Sequence, residues 1–470
     1  MKFLFKNWYF FQIAFFSFCF FSSLRYTLLN SDSAINILMI CDYYWPQNMY
    51  AWGQNRMGTI IPLLAQPFYQ FGLSALWSES IVHYGILVLG CFCFIKFFKN
   101  TFFKFLFTLV WFFPISHMID HTQFAYGIQM SLFGFVIYLC YHVWPFCNTI
   151  IKKIGILFSL LLLALISTWV SDMSISLIGL WGGAVIIIGI LKHKLEYVKN
   201  NVVLLSIFSS LLILTYLLVN WSKVFSTQEY NYYLFASFIN IKDNYIVFLT
   251  SLISIPLMFL IIPFFTFRSK NNIATASLIT GVMLTLFILC FQWTYLNNVP
   301  RRYFTPSFIL ISWGYLLNYD AKYSIINKST IFKDFYKQKI FYLMLVALIY
   351  SFSSLYELKY VSPKTLKPRA SFNNEYDALG NIGIIAEYWN AYVNSVTNPK
   401  KVAATPHQGC EIKNPSLIDS VFAKPKIFLI KDCWLAEYPD TLMQFNIKLV
   451  KNGKPFIKAN SNFCEYKVLK

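Results

Sequence analysis

The chain has 470 residues, of which 57% are hydrophobic and 20% aromatic, while only 13% are charged. Soluble globular domains carry about 25% charged residues, so this composition excludes an ordinary soluble enzyme. The formal net charge of +19 would suggest nucleic acid as the partner of a soluble protein. Here the basic residues lie in the connections between apolar runs, so we expect membrane lipids and no nucleic acid around them.

Long apolar runs recur along the sequence, at about the length that crosses 30 Å of hydrocarbon. They predict an all-α polytopic membrane protein with about 11 transmembrane helices. The predicted spans are 8–29, 79–95, 102–116, 124–147, 154–170, 174–191, 202–220, 245–265, 272–292, 304–319 and 340–355.

The charge of the connections alternates along the chain. One alternate set holds most of the lysines, including those at 96–104, 152–153, 192–199 and 322–339. The positive-inside rule places this set in the cytoplasm, together with the N-terminus. The first apolar run is about twenty residues, longer than the 7–15 of a secretory signal core, so we expect an uncleaved first helix. The odd number of spans then leaves the chain after about residue 356 outside.

The first outer connection, about 30–78, is polar and aromatic between two apolar spans. Asp32 follows the first span directly, and Ala34 to Ile40 are apolar enough for a short interfacial helix. Asp32, with Ser31 or Ser33, would suit the N-cap of that helix, and a cap is compatible with a catalytic role. The connection continues with Asp42-Tyr43-Tyr44 and Trp52-Gly53-Gln54-Asn55-Arg56-Met57-Gly58.

Other polar residues beside spans also fall on the predicted outer side: His117, Asp120, Asp172, Arg301 and Arg302. Charged residues at such positions are usually paired or functional, because burying them in lipid is costly. An arginine pair suits either lipid head groups or bidentate recognition of phosphate. The histidines and aspartate at 117–121 lack a recognised metal-ligand spacing. No P-loop, GxGxxG, GxSxG or HExxH motif occurs.

The composition changes near residue 356, where long apolar runs end. Residues 356–470 predict a small extracytoplasmic α/β domain after a membrane domain of residues 1–355. We expect a helix over 381–396 and strands over 401–404, 426–430, 445–450 and 463–468. Asn452-Gly453 is typical of a hairpin turn. A disulfide such as Cys410–Cys433 stays open, because sequence does not give connectivity.

The first outer loop carries a family resemblance. Asp32, the apolar stretch 34–40, the Trp52–Gly58 turn and Pro67 resemble the GT-C superfamily of membrane glycosyltransferases. The bacterial branch of aminoarabinose transferases and protein mannosyltransferase-like enzymes is the most similar. Weaker matches are Pro114, Trp169 to Asp172, Arg302-Tyr303 with Pro306, and Ala386-Glu387-Tyr388-Trp389. Many relatives carry a second acid where this chain has Ser33, so the need for a divalent metal stays open.

The resemblance implies an enzyme of the bacterial inner membrane that uses a polyprenyl-phosphate-linked sugar. The acceptor would be a glycolipid, lipopolysaccharide or polysaccharide on the extracytoplasmic side. Asp32 would be the general base, and Arg301, Arg302 and Arg56 would bind the donor phosphate. The candidate sugar- or acceptor-binding residues are Asp42, Tyr43, Trp52, Gln54, His117, Asp120 and Asp172.

Other classes of membrane protein stay open at this point. A polysaccharide polymerase or ligase has related chemistry, but usually places its main loop late in the chain. A transporter or flippase of lipid-linked sugars favours charged residues within spans and repeated halves, and neither is evident here. A non-catalytic membrane scaffold is the third alternative.

Overall fold

The computed structural model of the protein describes residues 8–113, 125–193, 196–226, 234–251, 271–323 and 367–469. The chain forms two compact units. The helical unit consists of Met1–Ser17, Gly85–Val224 and Tyr230–Glu357. The mixed unit consists of Phe18–Tyr84, Phe225–Glu229 and Leu358–Lys470. The first outer connection therefore belongs to the same unit as the C-terminal residues.

The structure describes a series of α-helices before the C-terminal region. They are α1 Trp8–Phe21, α2 Ser31–Cys41, α3 Ile60–Gln70, α4 Ala75–Ile95, α5 Thr101–Phe112, α6 Ala125–Tyr138, α7 Ile150–Val170, α8 Met173–His193, α9 Glu196–Ser222, α10 Phe238–Ser251, α11 Asn272–Leu289, α12 Gln292–Leu296 and α13 Thr305–Tyr323. Helix α6 continues through a π-helical turn, Leu139–Val143, into a 3₁₀ turn, Trp144–Phe146.

Six helical segments among the described residues are long and apolar enough to cross a membrane. They are Ala75–Ile95, Ala125–Phe146, Ile150–Val170, Met173–His193, Leu205–Phe225 and Asn272–Leu289. The polytopic all-α membrane class is confirmed, while the count of about 11 spans stays a prediction. The first predicted span is shorter than expected, because its helix ends at Phe21. The predicted span 340–355 and residues 252–265 lie outside the described residues.

Helices α11 and α13 of the helical unit pack closely because small residues lie at their contact. A Cβ on Gly314 would lie 2.7 Å from the carbonyl oxygen of Ala274. Glycine at such a position lets two backbones approach, as is common between membrane helices. At the C-terminal end of α13, buried Asp320 accepts hydrogen bonds from the backbone N–H groups of Lys99 and Asn100, at 2.7 and 2.8 Å.

The C-terminal region of the mixed unit forms a seven-stranded sheet. Its elements are α14 Arg369–Phe372, β1 Ile382–Ala386, α15 Tyr388–Ala391, β2 Val402–Pro406, α16 Ser416–Phe422, β3 Lys426–Ile430, β4 Thr441–Gln444, β5 Ile447–Lys451, β6 Phe456–Lys458 and β7 Ser461–Val468. The strand order is β2-β1-β3-β7-β5-β4, with β6 paired to β7. Strands β1, β2 and β3 are parallel to each other, and the other pairings are antiparallel. The predicted C-terminal α/β fold is confirmed.

Two local predictions in this region are wrong. The helix expected over 381–396 is instead β1 followed by the short helix α15. All five residues of β1 are buried, and a continuous apolar run in a parallel strand has no alternation to distinguish it from a helix. The hairpin turns lie at Phe445–Asn446 and Ala459–Asn460, with φ of 52° and 63°, and 48° and 60°. Asn452 instead donates a hydrogen bond to Glu465 at 2.7 Å.

Candidate active site

Asp32 lies in the first turn of α2, but it does not cap that helix. The N-cap is Asn30, whose side-chain oxygen accepts from the backbone N–H of Ser33 at 3.2 Å. The carboxylate of Asp32 accepts a hydrogen bond at Oδ1 from the hydroxyl of Tyr388, at 2.5 Å. The capping role expected for Asp32 is therefore wrong, and its side chain contacts a residue of the C-terminal region instead.

Tyr388 begins α15 directly after β1. Glu387 caps this helix by accepting from the backbone N–H of Trp389 at 2.9 Å. The Tyr388 ring lies edge-on to the rings of Trp389 and Tyr392, at centroid distances of 5.1 and 6.1 Å. Burial, and next the adjacent Asp32 carboxylate, raise the pKa of Tyr388 far above its usual range. The phenol therefore stays protonated and donates its hydrogen to Asp32.

The outer connection and the C-terminal region share further contacts within the mixed unit. Ser31 Oγ accepts from the backbone N–H of Tyr392 at 3.2 Å. The ring of Trp52 lies edge-on to Tyr392 at 6.4 Å. Tyr392 is fully buried, and its hydroxyl accepts from the backbone N–H of Lys413 at 3.0 Å. These contacts fix the position of α2, and so of Asp32, against the C-terminal region.

Lys413 is a charged residue of this site that the sequence did not reveal. Its side chain is 7% exposed, and Nζ pairs with Glu411 Oε1 at 2.6 Å. Burial lowers the pKa of Lys413, with a further lowering from Arg56, while Glu411 and Asp32 act in the opposite direction. Asp32, Arg56, Glu411 and Lys413 therefore share one electrostatic environment of two carboxylates and two cations.

A cavity of about 430 Å³ lies within the mixed unit. Its walls are aromatic, amide and charged side chains of the outer connection together with a C-terminal loop. The lining residues are Asp42, Tyr44, Gln47, Asn48, Tyr50, Ala51, Trp52, Gln54, Phe225, Ser226, Ile412, Lys413, Asn414, Pro415 and Ser416. Apolar walls with a few convergent polar groups are typical of small-molecule sites.

Gln54 is the polar group that points most directly to a ligand in this cavity. It is 7% exposed, and among the described residues its Oε1 has no hydrogen-bond partner. Buried acceptors are normally paired, so an unpaired one on a cavity wall calls for an explanation. Three predicted binding residues, Asp42, Trp52 and Gln54, line the cavity. Tyr43 is not among the lining residues, and its hydroxyl lies 3.0 Å from that of Thr59.

Arg301, Arg302 and Asp172 are predicted site residues that lie in the helical unit. Arg301 and Arg302 form a 3₁₀ turn, Arg301–Phe304, just before α13. Asn298 and Val299, which precede Pro300 and this turn, have φ of 55° and 53°. A β-branched residue is strained in this region, and strain of this kind clusters at functional sites. Asp172 pairs with Lys223 at 2.6 Å.

The remaining predictions concern His117, Asp120, a metal site and a disulfide. His117 and Asp120 lie outside the described residues. Within the described ranges, no group of three or more His, Cys, Asp or Glu side chains is placed to hold a metal ion. All ten cysteines are free thiols, Cys410 and Cys433 included, and Cys410 Sγ lies 3.1 Å from Nε2 of His407.

No protein-family model and no curated protein matches this sequence. Among solved structures, the chain is similar to ArnT from Cupriavidus metallidurans, a GT-C aminoarabinose transferase. The apo structure has a TM-score of 0.57 at 10% identity, and the alignment covers 97% of each chain. The structure bound to undecaprenyl phosphate has a TM-score of 0.56 at 10% identity, with the same coverage. The chain therefore has the fold of this transferase, and the resemblance predicted from sequence is confirmed at the level of the fold.

Proposed function

We propose that the protein is an integral membrane glycosyltransferase of the GT-C type that takes its sugar from a polyprenyl-phosphate donor. The observation that carries this proposal is the Asp32 carboxylate held by the Tyr388 hydroxyl. The fold shared with ArnT supports it, because one of those structures was solved with undecaprenyl phosphate bound. The acceptor that we propose is a glycolipid, lipopolysaccharide or polysaccharide outside the bacterial inner membrane, with the N-terminus of the protein in the cytoplasm.

In the proposed reaction, Asp32 accepts the proton of the acceptor hydroxyl while that oxygen attacks the anomeric carbon of the donor sugar. The bond between the anomeric carbon and the phosphate oxygen breaks, and polyprenyl phosphate leaves with the electron pair. Tyr388 donates to Oδ1 of Asp32, so we assign the proton transfer to Oδ2. A positioned general base contributes about 10² to 10⁴ in rate.

The leaving phosphate needs cations, and we assign this role first to Arg301 and Arg302 and second to Arg56. Guanidinium groups bind phosphate through two parallel hydrogen bonds, which fixes its orientation as well as its charge. The strained residue Val299, which lies two residues before Arg301, supports a functional role for that turn.

We assign sugar or acceptor binding to the cavity lined by Asp42, Trp52 and Gln54. Gln54 supplies a buried acceptor for a sugar hydroxyl, and Trp52 supplies an apolar ring face. Lys413 lines the same cavity, and its ammonium pairs with Glu411. A negatively charged sugar would interact with this ammonium. Tyr43, His117 and Asp120 stay predicted binding residues, whereas Asp172 lines a different cavity in the helical unit and is not assigned to the sugar or acceptor here.

The test uses membranes from cells that make the protein, supplied with a panel of synthetic undecaprenyl-phosphate sugars. Mass spectrometry measures the undecaprenyl phosphate released and the mass gained by envelope glycans. Asp32→Asn should slow release by about 100-fold or more, because it removes the base. Asp419→Asn is the matched control, since Asp419 is an exposed carboxylate on α16. Transfer by Asp32→Asn at the rate of the control, with equal protein levels, would refute the assignment of Asp32.

A further inference from the structure

A second cavity, of about 290 Å³, lies in the helical unit at the ends of four helices. It is formed where α7 ends and α8 begins, beside the ends of α9 and α11. The residues that line it include Thr168, Asp172, Tyr216, Asn220, Lys223 and Phe291. Helices α7, α8 and α11 are each long and apolar enough to cross a membrane. The same holds for a segment that contains most of α9, Leu205–Phe225. The cavity therefore lies where apolar spans end and polar side chains begin.

The polar wall of this cavity carries one anion and one cation. Lys223 Nζ pairs with Asp172 Oδ2 at 2.6 Å, and the two side chains are 24% and 14% exposed. The pair joins the turn between α7 and α8 to the end of α9. A ligand with a single charge would compete with this ion pair for only one of its two members. A ligand with both charges satisfies both side chains.

Thr168 gives independent evidence that a ligand belongs here. Its side chain is 2% exposed, and its hydroxyl has no hydrogen-bond partner in the part of the chain that the structure describes. A buried polar group without a partner destabilises the folded protein. A polar ligand atom in the cavity would remove that cost.

The other wall of this cavity is formed by aromatic side chains. The rings of Phe235 and Phe291 stack at a centroid distance of 5.7 Å, and Phe287 lies edge-on to Phe291 at 4.7 Å. Phe235 is 67% exposed. Phenylalanine side chains transfer favourably into the hydrocarbon region of a membrane. The wall therefore suits the upper part of an acyl chain, below a polar head group.

We propose that this cavity binds the head group of a zwitterionic phospholipid with a primary ammonium, as in phosphatidylethanolamine. Lys223 donates to the lipid phosphate, and Asp172 accepts from the lipid ammonium. Thr168 pairs with a polar atom of the head group, and the phenylalanines contact the acyl chain. The proposal does not depend on the transferase activity. It assigns a lipid head group to this cavity, whereas the donor phosphate is assigned to Arg301 and Arg302.

The test uses the purified full-length protein and an equimolar mixture of phosphatidylethanolamine, phosphatidylcholine and phosphatidylglycerol with identical acyl chains. Native mass spectrometry measures which lipid the protein retains. We expect phosphatidylethanolamine to be retained about tenfold over phosphatidylcholine, whose quaternary ammonium has no hydrogen to donate to Asp172. Equal retention of the three lipids, or a preference for phosphatidylglycerol, would overturn the proposal. So would displacement of the retained lipid by methyl glucoside, a sugar without an acyl chain, since it would indicate a sugar site.

Two variants of the lining residues and one control variant test whether the lipid binds in this cavity. Asp172→Asn should abolish the preference, while Asp243→Asn, a carboxylate of α10 outside the lining, should keep it. Thr168→Val keeps the side-chain shape and removes only the hydroxyl. A purely structural site predicts no loss of lipid from Thr168→Val, because the wild-type hydroxyl has no described partner. We expect Thr168→Val to retain the lipid several-fold more weakly, while its lipid-free form unfolds at a temperature no lower than that of the wild type. Unchanged retention would contradict the proposal.

Discussion

Tyr388→Phe tests the contact on which the proposed active site depends. The substitution removes one hydroxyl and keeps the ring that lies against Trp389 and Tyr392. A hydrogen bond to a charged group contributes about 1.5–3 kcal/mol, so Asp32 would lose that much positioning free energy. Since 1.36 kcal/mol is tenfold in rate, we expect the turnover number to fall about ten- to hundredfold. The loss arises from misplacement, because a base displaced by about 1 Å loses catalytic power of this order.

The assay is release of undecaprenyl phosphate from a donor at saturating and limiting concentrations. The fall should appear in the turnover number, with little change in KM, because Tyr388 contacts the base. A double variant, Asp32→Asn with Tyr388→Phe, should be no slower than Asp32→Asn alone, since residues that act as one unit are not additive. Trp389→Phe is the matched control, because Trp389 is 47% exposed beside Tyr388. Losses that multiply in the double variant, or a Tyr388→Phe rate within about twofold of wild type, would refute the reasoning.

Three further predictions concern other parts of the chain. Arg302→Ala should raise the KM for the donor about tenfold or more while Arg302→Lys recovers part of it, as expected for a phosphate contact measured in the same release assay. Burial lowers the pKa of His407 below its ordinary 6.5, so the folded form binds a proton less readily than the unfolded form. Protonation of the unfolded form should therefore lower the contribution of His407 to thermal stability as the pH falls below about 6.5, and His407→Gln should remove that part of the pH dependence in calorimetry. A Cβ at Gly383 would lie 2.4 Å from the carbonyl oxygen of Val421, so Gly383→Ala should destabilise the protein by about 1–3 kcal/mol in chemical unfolding, whereas Gly453→Ala, in open space, should not.

Local patterns in the sequence predicted the elements that local physics determines. Strand β3 occupies the predicted 426–430, and the helices at 150–170 and 173–193 contain the spans expected there. Hydrophobic length and alternation operate within one segment, so they are readable without tertiary contacts. Strand β1 was mistaken for a helix because its five residues are buried on both faces of the sheet, which erases the alternation.

The sequence predicted where the site lies better than it predicted which residues form it. Asp32 was predicted as a functional residue from its place after the first span, but its partner Tyr388 lies 356 residues away. Such a pairing is created by tertiary structure, and only the family resemblance of Glu387-Tyr388-Trp389 singled out that stretch. Lys413 gave no signal, since a lysine in a polar C-terminal loop is ordinarily solvated, whereas this one is 7% exposed.

The membership of the mixed unit changes how the C-terminal region should be understood. The segments Phe18–Tyr84 and Leu358–Lys470 belong to one compact unit, and α2 packs within it against residues of the C-terminal region. Ser31 and Asp32, at the start of α2, accept hydrogen bonds from Tyr392 and Tyr388. A carboxylate on a single short helix would otherwise have its orientation set only by local turns. In this chain α15 and the 3₁₀ turn that follows it supply the donors that hold the start of α2, so the C-terminal region is part of the proposed catalytic architecture and not an appended module.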